Sequence, residues 1–357
     1  MSGKGDYDIA VIAGDGIGPE VVQEGLKILQ VASEITGFNY DIKEYPFGSE
    51  HYLATNELLP DEAFEEIKGM DAVYLGAIGD PRCEPGLVEH GIISKIRFGF
   101  DLYINLRPIK AYADNLVPLK GKTADDIDFI VVRENTEDLY TNLGGIFKRG
   151  TEHEVAMAQM IFTRHGVERA IRYAFELAKK RNKGKRVTLV DKANAIRSMD
   201  IWTRVFQEVG EEYPDIEKDH AYVDACCMWM IKDPEFFDVI VTNNIFGDIV
   251  TDLGAMLQGG MGVAASGNLH PGKVSMFEPI HGSAPKYKGQ NKANPIAAMV
   301  AVAMMLDYLG ETKAANLIES SVQQSLQNGQ IPDLSASSGM STNQIGDIIS
   351  DAIVQMK

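Results

Sequence analysis

Asp248 and Asp252 stand one helical turn apart in "NNIFGDIVTD", residues 243–252, among apolar neighbours. At i, i+4 two carboxylates share one helix face and repel each other unless a cation joins them. Buried carboxylates need a partner. Either this edge meets water or it is aimed at positive charge. Asp224, in "AYVDACC", ends another apolar stretch. With the pair it would supply three hard oxygen donors, the preference of Mg²⁺ or Mn²⁺. Zinc is disfavoured, because no Cys/His cluster has its ligand spacing. On spacing alone, a metal site and a solvated acidic edge both fit.

Three arginines suggest what such a site would hold. Arg97 and Arg107 lie in "KIRFGFDLYINLRPIK" and Arg133 in "VVRENTEDLY". A planar guanidinium suits bidentate carboxylate recognition. Arg107 and Arg133 sit at the ends of apolar runs, where a merely solvated arginine is out of place. Arginines around one pocket would describe a substrate with two or more carboxylates. Lys192 follows the apolar run "RVTLVD", an environment that can lower a lysine's pKa for proton transfer. The plainer reading pairs it with Asp191. Tyr140 is a candidate proton donor or a half-buried aromatic. The segment 277–295, "FEPIHGSAPKYKGQNKANP", is a long polar loop whose apolar anchors favour order, and it carries Glu278, His281 and Asn294. His281 could serve a ligand or simply hold that loop together.

The elements that must position these residues alternate. "YDIAVIAGDGIGPEVVQEGLKIL" predicts a strand, a glycine-rich turn and a helix opening near Pro19. "DAVYLGAIGDP", "DFIVVRENTEDLY", "RVTLVDKANAI" and "FDVIVTNNIFGDI" repeat the form of a buried strand ending in a polar cluster. "PDEAFEEIKGM" has the acidic opening of a helix. Within 162–181, Val167, Ile171, Ala174, Phe175 and Ala178 recur at helical spacing. Alternation of this kind predicts an α/β fold with a largely parallel sheet. Ligands then bind beyond the carboxyl ends of strands, where Arg133, Lys192, Asn243 and Asn244 fall. "GDGIGPE", Gly14 to Glu20, lacks the G-x-G-x-x-G spacing of a Rossmann turn, so a tight turn is the better reading.

Composition narrows the class. The chain has 357 residues and a formal charge of -17, enough length for two domains and too acidic for nucleic acid or anionic membranes. Three cysteines, two of them adjacent, form no disulfide framework, so a reducing cytoplasm is expected. The N-terminus does not read as a signal peptide. "PIAAMVAVAMML" is too short to span a bilayer and suits a buried helix.

Taken in order, "GDGIGPE", "NLRP", "VVRENTE", "VDKANAI", "NIFGDIVTDL" and "EPIHGSAP…ANP" resemble the β-decarboxylating dehydrogenases: the isopropylmalate, isocitrate, homoisocitrate and tartrate enzymes. The likeness runs from Gly14 to "GMSTNQIGD". Any single piece is weak, but their succession is specific. The resemblance implies an isopropylmalate dehydrogenase-like two-domain α/β fold with a mixed, mostly parallel central sheet, not Rossmann. It implies a first domain from 1–106 and 256–357, and a second from 107–255 that carries the dimer interface and the metal carboxylates. It also implies a homodimer with shared active sites, tetramer being the alternative. Lys192 and Asp224 of one subunit would face Arg97, Arg107, Arg133, Tyr140, Asp248 and Asp252 of the other. Asp224, Asp248 and Asp252 would hold Mg²⁺ or Mn²⁺ against the substrate's C1 carboxylate and C2 hydroxyl. Lys192 would help take the hydroxyl proton, and Tyr140 would protonate the enol carbon after CO₂ leaves. The cofactor, NAD or NADP, would lie against Asn194, Glu278, His281, Gly282, Ser283, Ala284, Lys286, Tyr287 and Asn294.

Substrate choice in this family resembles a reading of the residues before the first arginine, here "EHGIISKIR". Isocitrate enzymes tend to have Ser and Asn where this chain has Gly91 and Ile93. With Ile92, an apolar wall would suit an isopropyl group and solvate a third carboxylate poorly. Oxidative decarboxylation of 3-isopropylmalate to 2-oxoisocaproate, in leucine biosynthesis, is therefore expected, with isocitrate, homoisocitrate and tartrate or malate as alternatives. NAD-using members commonly carry Asp after "HGSAP". This chain has Lys286 and Tyr287, as NADP-dependent isocitrate enzymes do, yet "IPDLSASSG" offers no second cation. NAD is favoured narrowly. A regulatory subunit without chemistry is a further alternative, disfavoured because Lys192, Tyr140 and the three aspartates are all retained.

Overall fold

The computed structural model describes residues 5–335 and 339–357. The first four residues of the segment tested above for a signal peptide lie outside that range. So do Ala336–Ser338 of the stretch that lacks a second cation. The strands run β1 (Asp6–Gly14), β2 (Asn39–Glu44), β3 (Ala72–Ala77), β4 (Ile104–Lys110), β5 (Asp128–Glu134) and β6 (Gly144–Phe147). They continue as β7 (Val155–Ala158), β8 (Arg186–Asp191), β9 (Glu217–Tyr222), β10 (Val239–Thr242), β11 (Ala265–Leu269) and β12 (Ser275–Pro279). The chain forms two compact units. The first comprises Met1–Leu102, Lys110–Ala124 and Ala255–Lys357; the second comprises Tyr103–Ile109 and Asp125–Gly254.

In the first unit the strand order is β2-β1-β3-β12-β11. β1 is parallel to β2 and β3, β12 is parallel to β3, and β11 runs antiparallel to β12. Every residue of β3 is buried, as a parallel strand covered on both faces should be. The helix Gly18–Thr36 opens with a proline in its first turn and closes on Gly37 at φ 86°, whose N–H returns to the Ser33 carbonyl. The run at 295–306 falls in the helix Ile296–Leu309, buried on nearly every side. A helix apolar all round belongs in a core.

In the second unit β5-β10-β8-β9 are parallel neighbours, with β4 beside β5. β6 and β7 form a separate antiparallel hairpin. The helix Arg164–Arg181 buries Val167, Ile171, Ala174, Phe175 and Ala178, the residues its periodicity singled out. Thr163 caps it by accepting the Gly166 N–H. This is the largely parallel α/β architecture that the alternating sequence predicts, with the antiparallel β11–β12 pair making the sheet mixed as the resemblance implies. Among the described residues no helix is long and apolar enough to cross a membrane.

Candidate active site

In the second unit β5 ends on Arg133 and Glu134, and β10 leads into the helix Asn244–Leu257. That helix presents Asp248 to three side chains. Arg133 Nη1 lies 2.5 Å from Asp248 Oδ1, and Arg107 Nη2 lies 3.5 Å from the same oxygen. The Tyr140 hydroxyl donates to Asp248 Oδ2 at 3.0 Å. Arg133 is 1% exposed, and its Nε donates to Asn244 Oδ1 at 2.9 Å. Arg107 is fixed by Asn105 Oδ1 at 2.7 Å and the Thr251 hydroxyl at 2.5 Å, with Asp252 3.9 Å away. Gly247 is obligatory, since a Cβ there would meet Arg133 Cγ at 2.5 Å. The helix thus packs its backbone against the arginine stem and places both carboxylates beyond it.

The charges set the protonation states. Burial would raise the Asp248 carboxyl, but Arg133 and Arg107 outweigh it and hold the group below the usual carboxylate range. Asp252 is raised, first by burial and then by the charge on Asp248, with Arg107 opposing. Two carboxylates on one face, one of them destabilised as an anion, are a donor set that a divalent cation would relieve. Burial raises the Tyr140 hydroxyl pKa, with Arg133 opposing and Asp248 adding, so this phenol keeps its proton. Among the described residues no group of three or more His, Cys, Asp and Glu gathers closely enough to bind an ion. Asp224 does not join the pair within one chain.

Asp224 instead opens the helix Val223–Lys232 and pairs with Lys192, Nζ to Oδ1 at 2.5 Å. That hydrogen bond is the main reason its carboxyl sits below the ordinary range. The alternative of Lys192 on Asp191 is not what the structure shows. Asp191 is fully buried and accepts from Ala193, Thr203 and His220. Adjacent strand residues face opposite ways, so a lysine just past the strand end need not meet its chain neighbour. Asn194 is exposed in the turn beyond Lys192.

In the first unit the glycine-rich turn and the loop after β12 close on each other. Asp15 accepts the Ser49 N–H at 2.7 Å, the Ser49 hydroxyl at 2.8 Å and the Gly79 N–H at 2.8 Å. The Ser283 hydroxyl donates to the Gly79 carbonyl at 2.6 Å, and the Ile17 N–H to the Ser283 carbonyl at 2.8 Å. Gly16, at φ 59°, leaves no room for a Cβ, which would fall 1.9 Å from that carbonyl. "GDGIGPE" is a tight turn, and it underlies "HGSAP". In that loop Ala284 takes a left-handed φ of 40°, Gly282 is exposed, and a Cβ added to Gly282 would meet open space. The His281 Nε2 is buried without a protein partner, an orphan that a bound group could satisfy. Burial lowers the pKa of His281, which favours the neutral ring. Lys286 is exposed beside half-buried Tyr287, and Asn294 is buried with its oxygen on the Ile296 N–H at 2.9 Å.

Arg97 lies in this unit, with its Nη2 2.9 Å from buried Glu278, which also accepts from Asn268 at 2.8 Å. Ile92 and Ile93 lie in a π-helical turn, His90–Ser94, a form frequent at functional sites. Ile92 is 0% exposed within the core formed with Leu75, Val88 and Ile96, and Ile93 packs half-buried against that core. Gly91 has a packing cause, since a Cβ there would meet Leu58 Cδ1 at 2.3 Å.

Sequence reasoning passed over Asn105 and Thr251, which fix Arg107, and Asp15, which ties three loops. Thr251 was within reach, being one helical step from Asp248 on the same face. Asp15 gave no signal beyond being a carboxylate in a turn.

Comparison with known proteins agrees with these features. The sequence profile described as isocitrate/isopropylmalate dehydrogenase matches residues 8–349. The 3-isopropylmalate dehydrogenase of Thermobifida fusca (strain YX) is 46% identical, covering 97% of this chain and 98% of that one. Its counterpart in Streptomyces coelicolor is 47% identical over 96% of this chain and 97% of that one. Among solved structures, isocitrate dehydrogenase from Methylococcus capsulatus superposes with a TM-score of 0.88 at 34% identity, covering 97% of this chain and 99% of that one. A β-decarboxylating dehydrogenase from Thermococcus kodakarensis gives 0.79 at 32% identity, covering 98% and 97%.

Proposed function

The chain belongs to the isocitrate/isopropylmalate dehydrogenase family, and within it we propose an NAD-dependent 3-isopropylmalate dehydrogenase of leucine biosynthesis, working in the cytoplasm as a homodimer. The observation that carries the chemistry is the convergence of Arg107, Arg133 and Tyr140 on Asp248 beside Asp252. Asp248 and Asp252 would hold Mg²⁺ or Mn²⁺, with Asp224 supplied by a second copy of the chain. When bound, the cation would supply Lewis-acid polarisation at the substrate's hydroxyl and carbonyl oxygen, and the nicotinamide would supply the hydride acceptor.

The residues of the chain do the rest. The guanidiniums of Arg97, Arg107 and Arg133 take the substrate carboxylates, and the firm seating of Arg107 and Arg133 makes them rigid clamps. Lys192 helps take the hydroxyl proton as an amine, and Asp224, 2.5 Å from its nitrogen, pairs with the ammonium that forms. Tyr140, a phenol kept protonated, delivers a proton to carbon after CO₂ departs. The "HGSAP" loop, with Glu278, His281, Gly282, Ser283, Ala284, Tyr287, Asn294 and, beyond Lys192, Asn194, holds the dinucleotide. Ile93, with Ile92 behind it, lines the pocket for the isopropyl group. Lys286 is the residue that would admit a 2′-phosphate, which keeps NADP as the second coenzyme.

Initial rates with Mg²⁺ test this, comparing 3-isopropylmalate and isocitrate, each with NAD and NADP. The expected result is a kcat/KM for isopropylmalate at least roughly tenfold above that for isocitrate, the scale one apolar group contributes. A preference for isocitrate overturns the substrate assignment while leaving the carboxylate chemistry standing. Lys286→Asp is expected to shift preference further toward NAD. An unchanged ratio removes Lys286 from coenzyme choice.

A further inference from the structure

We propose that Asp191 and His220 form a positioning pair for Lys192, fixing the turn from which the lysine meets Asp224. The inference rests on the catalytic reading of Lys192 given above.

β8 and β9 are parallel neighbours with Leu189 opposite His220 and Asp191 opposite Tyr222. Residues two apart on a strand share a face, so Asp191 and His220 meet diagonally, with His220 Nε2 3.0 Å from Asp191 Oδ1. The same Oδ1 accepts the Ala193 N–H at 3.1 Å, and Oδ2 accepts the Thr203 hydroxyl at 3.1 Å. The first of these bonds grips the residue just beyond Lys192. The second reaches the helix Asp200–Gly210. Within the turn, the Lys192 carbonyl accepts the Ala195 and Ile196 N–H groups at 2.9 and 2.8 Å. On the facing strand Tyr222 sets its ring edge-on to His220, with centroids 5.2 Å apart, and lies 5.9 Å from the Lys192 ammonium. Asp224 follows two residues later. One buried carboxylate therefore binds together both segments that carry the Lys192–Asp224 pair.

Asp191 is fully buried, so its carboxylate depends on the donors that surround it. Lys192 is occupied by Asp224, and His220 is the donor that reaches Asp191 from the facing strand. The hydrogen bond to Asp191 is the main cause that raises the His220 pKa, with burial opposing and Asp191 and Asp219 adding charge. A carboxylate that takes part in no chemistry but orients a reacting side chain through its backbone is an outer partner of the kind whose loss costs about 10–100-fold.

The test uses wild type, His220→Ala, His220→Gln and Asp191→Asn, with two readouts. Steady-state kinetics separate kcat from KM. Competitive acetylation of Lys192 at one fixed pH, measured by mass spectrometry against the other lysines, needs no turnover. His220→Ala is expected to lower kcat about 10–30-fold, to leave KM within about threefold, and to change Lys192 acetylation severalfold. His220→Gln keeps a donor for Asp191 and is expected to restore both readouts to within about threefold of wild type. Should His220→Ala not fold, Asp191→Asn carries the same expectation, since it retains size but puts an amide donor where one of the two accepting oxygens stood. Lys192 acetylation that matches wild type in the folded variants overturns the pair, as does a Gln variant no better than Ala. A wild-type enzyme that turns over neither substrate overturns the catalytic reading alone, because the acetylation comparison still decides the positioning.

Discussion

Tyr140 shows how a side chain acquires a role from what surrounds it. Its hydroxyl donates to Asp248, and the Arg133 guanidinium lies 5.2 Å from its ring centroid. Burial and the anion keep the phenol protonated while the arginine moderates the effect. A proton held in this way is available to a carbanion-like carbon and costs little reorganisation. Tyr140→Phe removes that proton but keeps the ring over Arg133. Turnover is expected to fall about 100-fold or more, with KM for the hydroxy acid nearly unchanged. Steady-state kinetics check this, and a rise in KM at constant kcat would instead make Tyr140 a binding residue.

At the scale of elements, β5 delivers Arg133 to Asp248 and also ends on Glu134, whose carboxylate accepts the Thr136 N–H and hydroxyl, each at 2.8 Å, and the Glu137 N–H at 3.0 Å. Burial raises Glu134 to about 7 despite those bonds. Its folded pKa thus exceeds that of an unfolded glutamate, roughly 4.3. The stability it contributes is complete below the unfolded value and is lost as pH rises through about 7. Glu134→Gln removes the titration, so its melting temperature relative to wild type is expected to improve by several degrees between pH 5 and pH 8. A constant difference across that range would show the glutamate ionised throughout. The strands β1, β3, β5, β8 and β10 and the helix Ile296–Leu309 were legible in the sequence as apolar runs, and the helix Arg164–Arg181 through its period. β9 was not, since "EKDHAY" is a part-exposed strand with no apolar alternation. The last three residues of β12, Phe277–Pro279, read as part of the polar loop that follows, because they sit against glycine and proline. The residues around Asp248 were legible as types, whereas Asp191 and His220 meet across a separation in sequence that no local spacing records.

At the scale of the molecule, the carboxylates of Asp224 and Asp252 share their faces with exposed apolar side chains. Met228 lies one turn beyond Asp224 and is 73% exposed, with Trp229 and Ile231 beside it. Ile249, Asp252 and Met256 lie along one face of a helix, and both apolar members are exposed. The β6–β7 hairpin leaves Ile146, Phe147, Val155 and Met157 in the open. Apolar exposure of this extent marks an interaction surface. A second copy related by twofold symmetry would cover each face with its like. It would also carry an Asp224 toward carboxylates that have none in their own chain. Light scattering is therefore expected to give twice the mass of one chain. The double variant Met228→Glu, Ile249→Glu is expected to give single chains with unchanged far-ultraviolet dichroism. Those single chains should lose activity and at least about tenfold in Mn²⁺ affinity, because the third donor is gone. A monomeric wild type with full turnover, or a separated variant that keeps its Mn²⁺ affinity, would place all the ligands within one chain and remove Asp224 from the site.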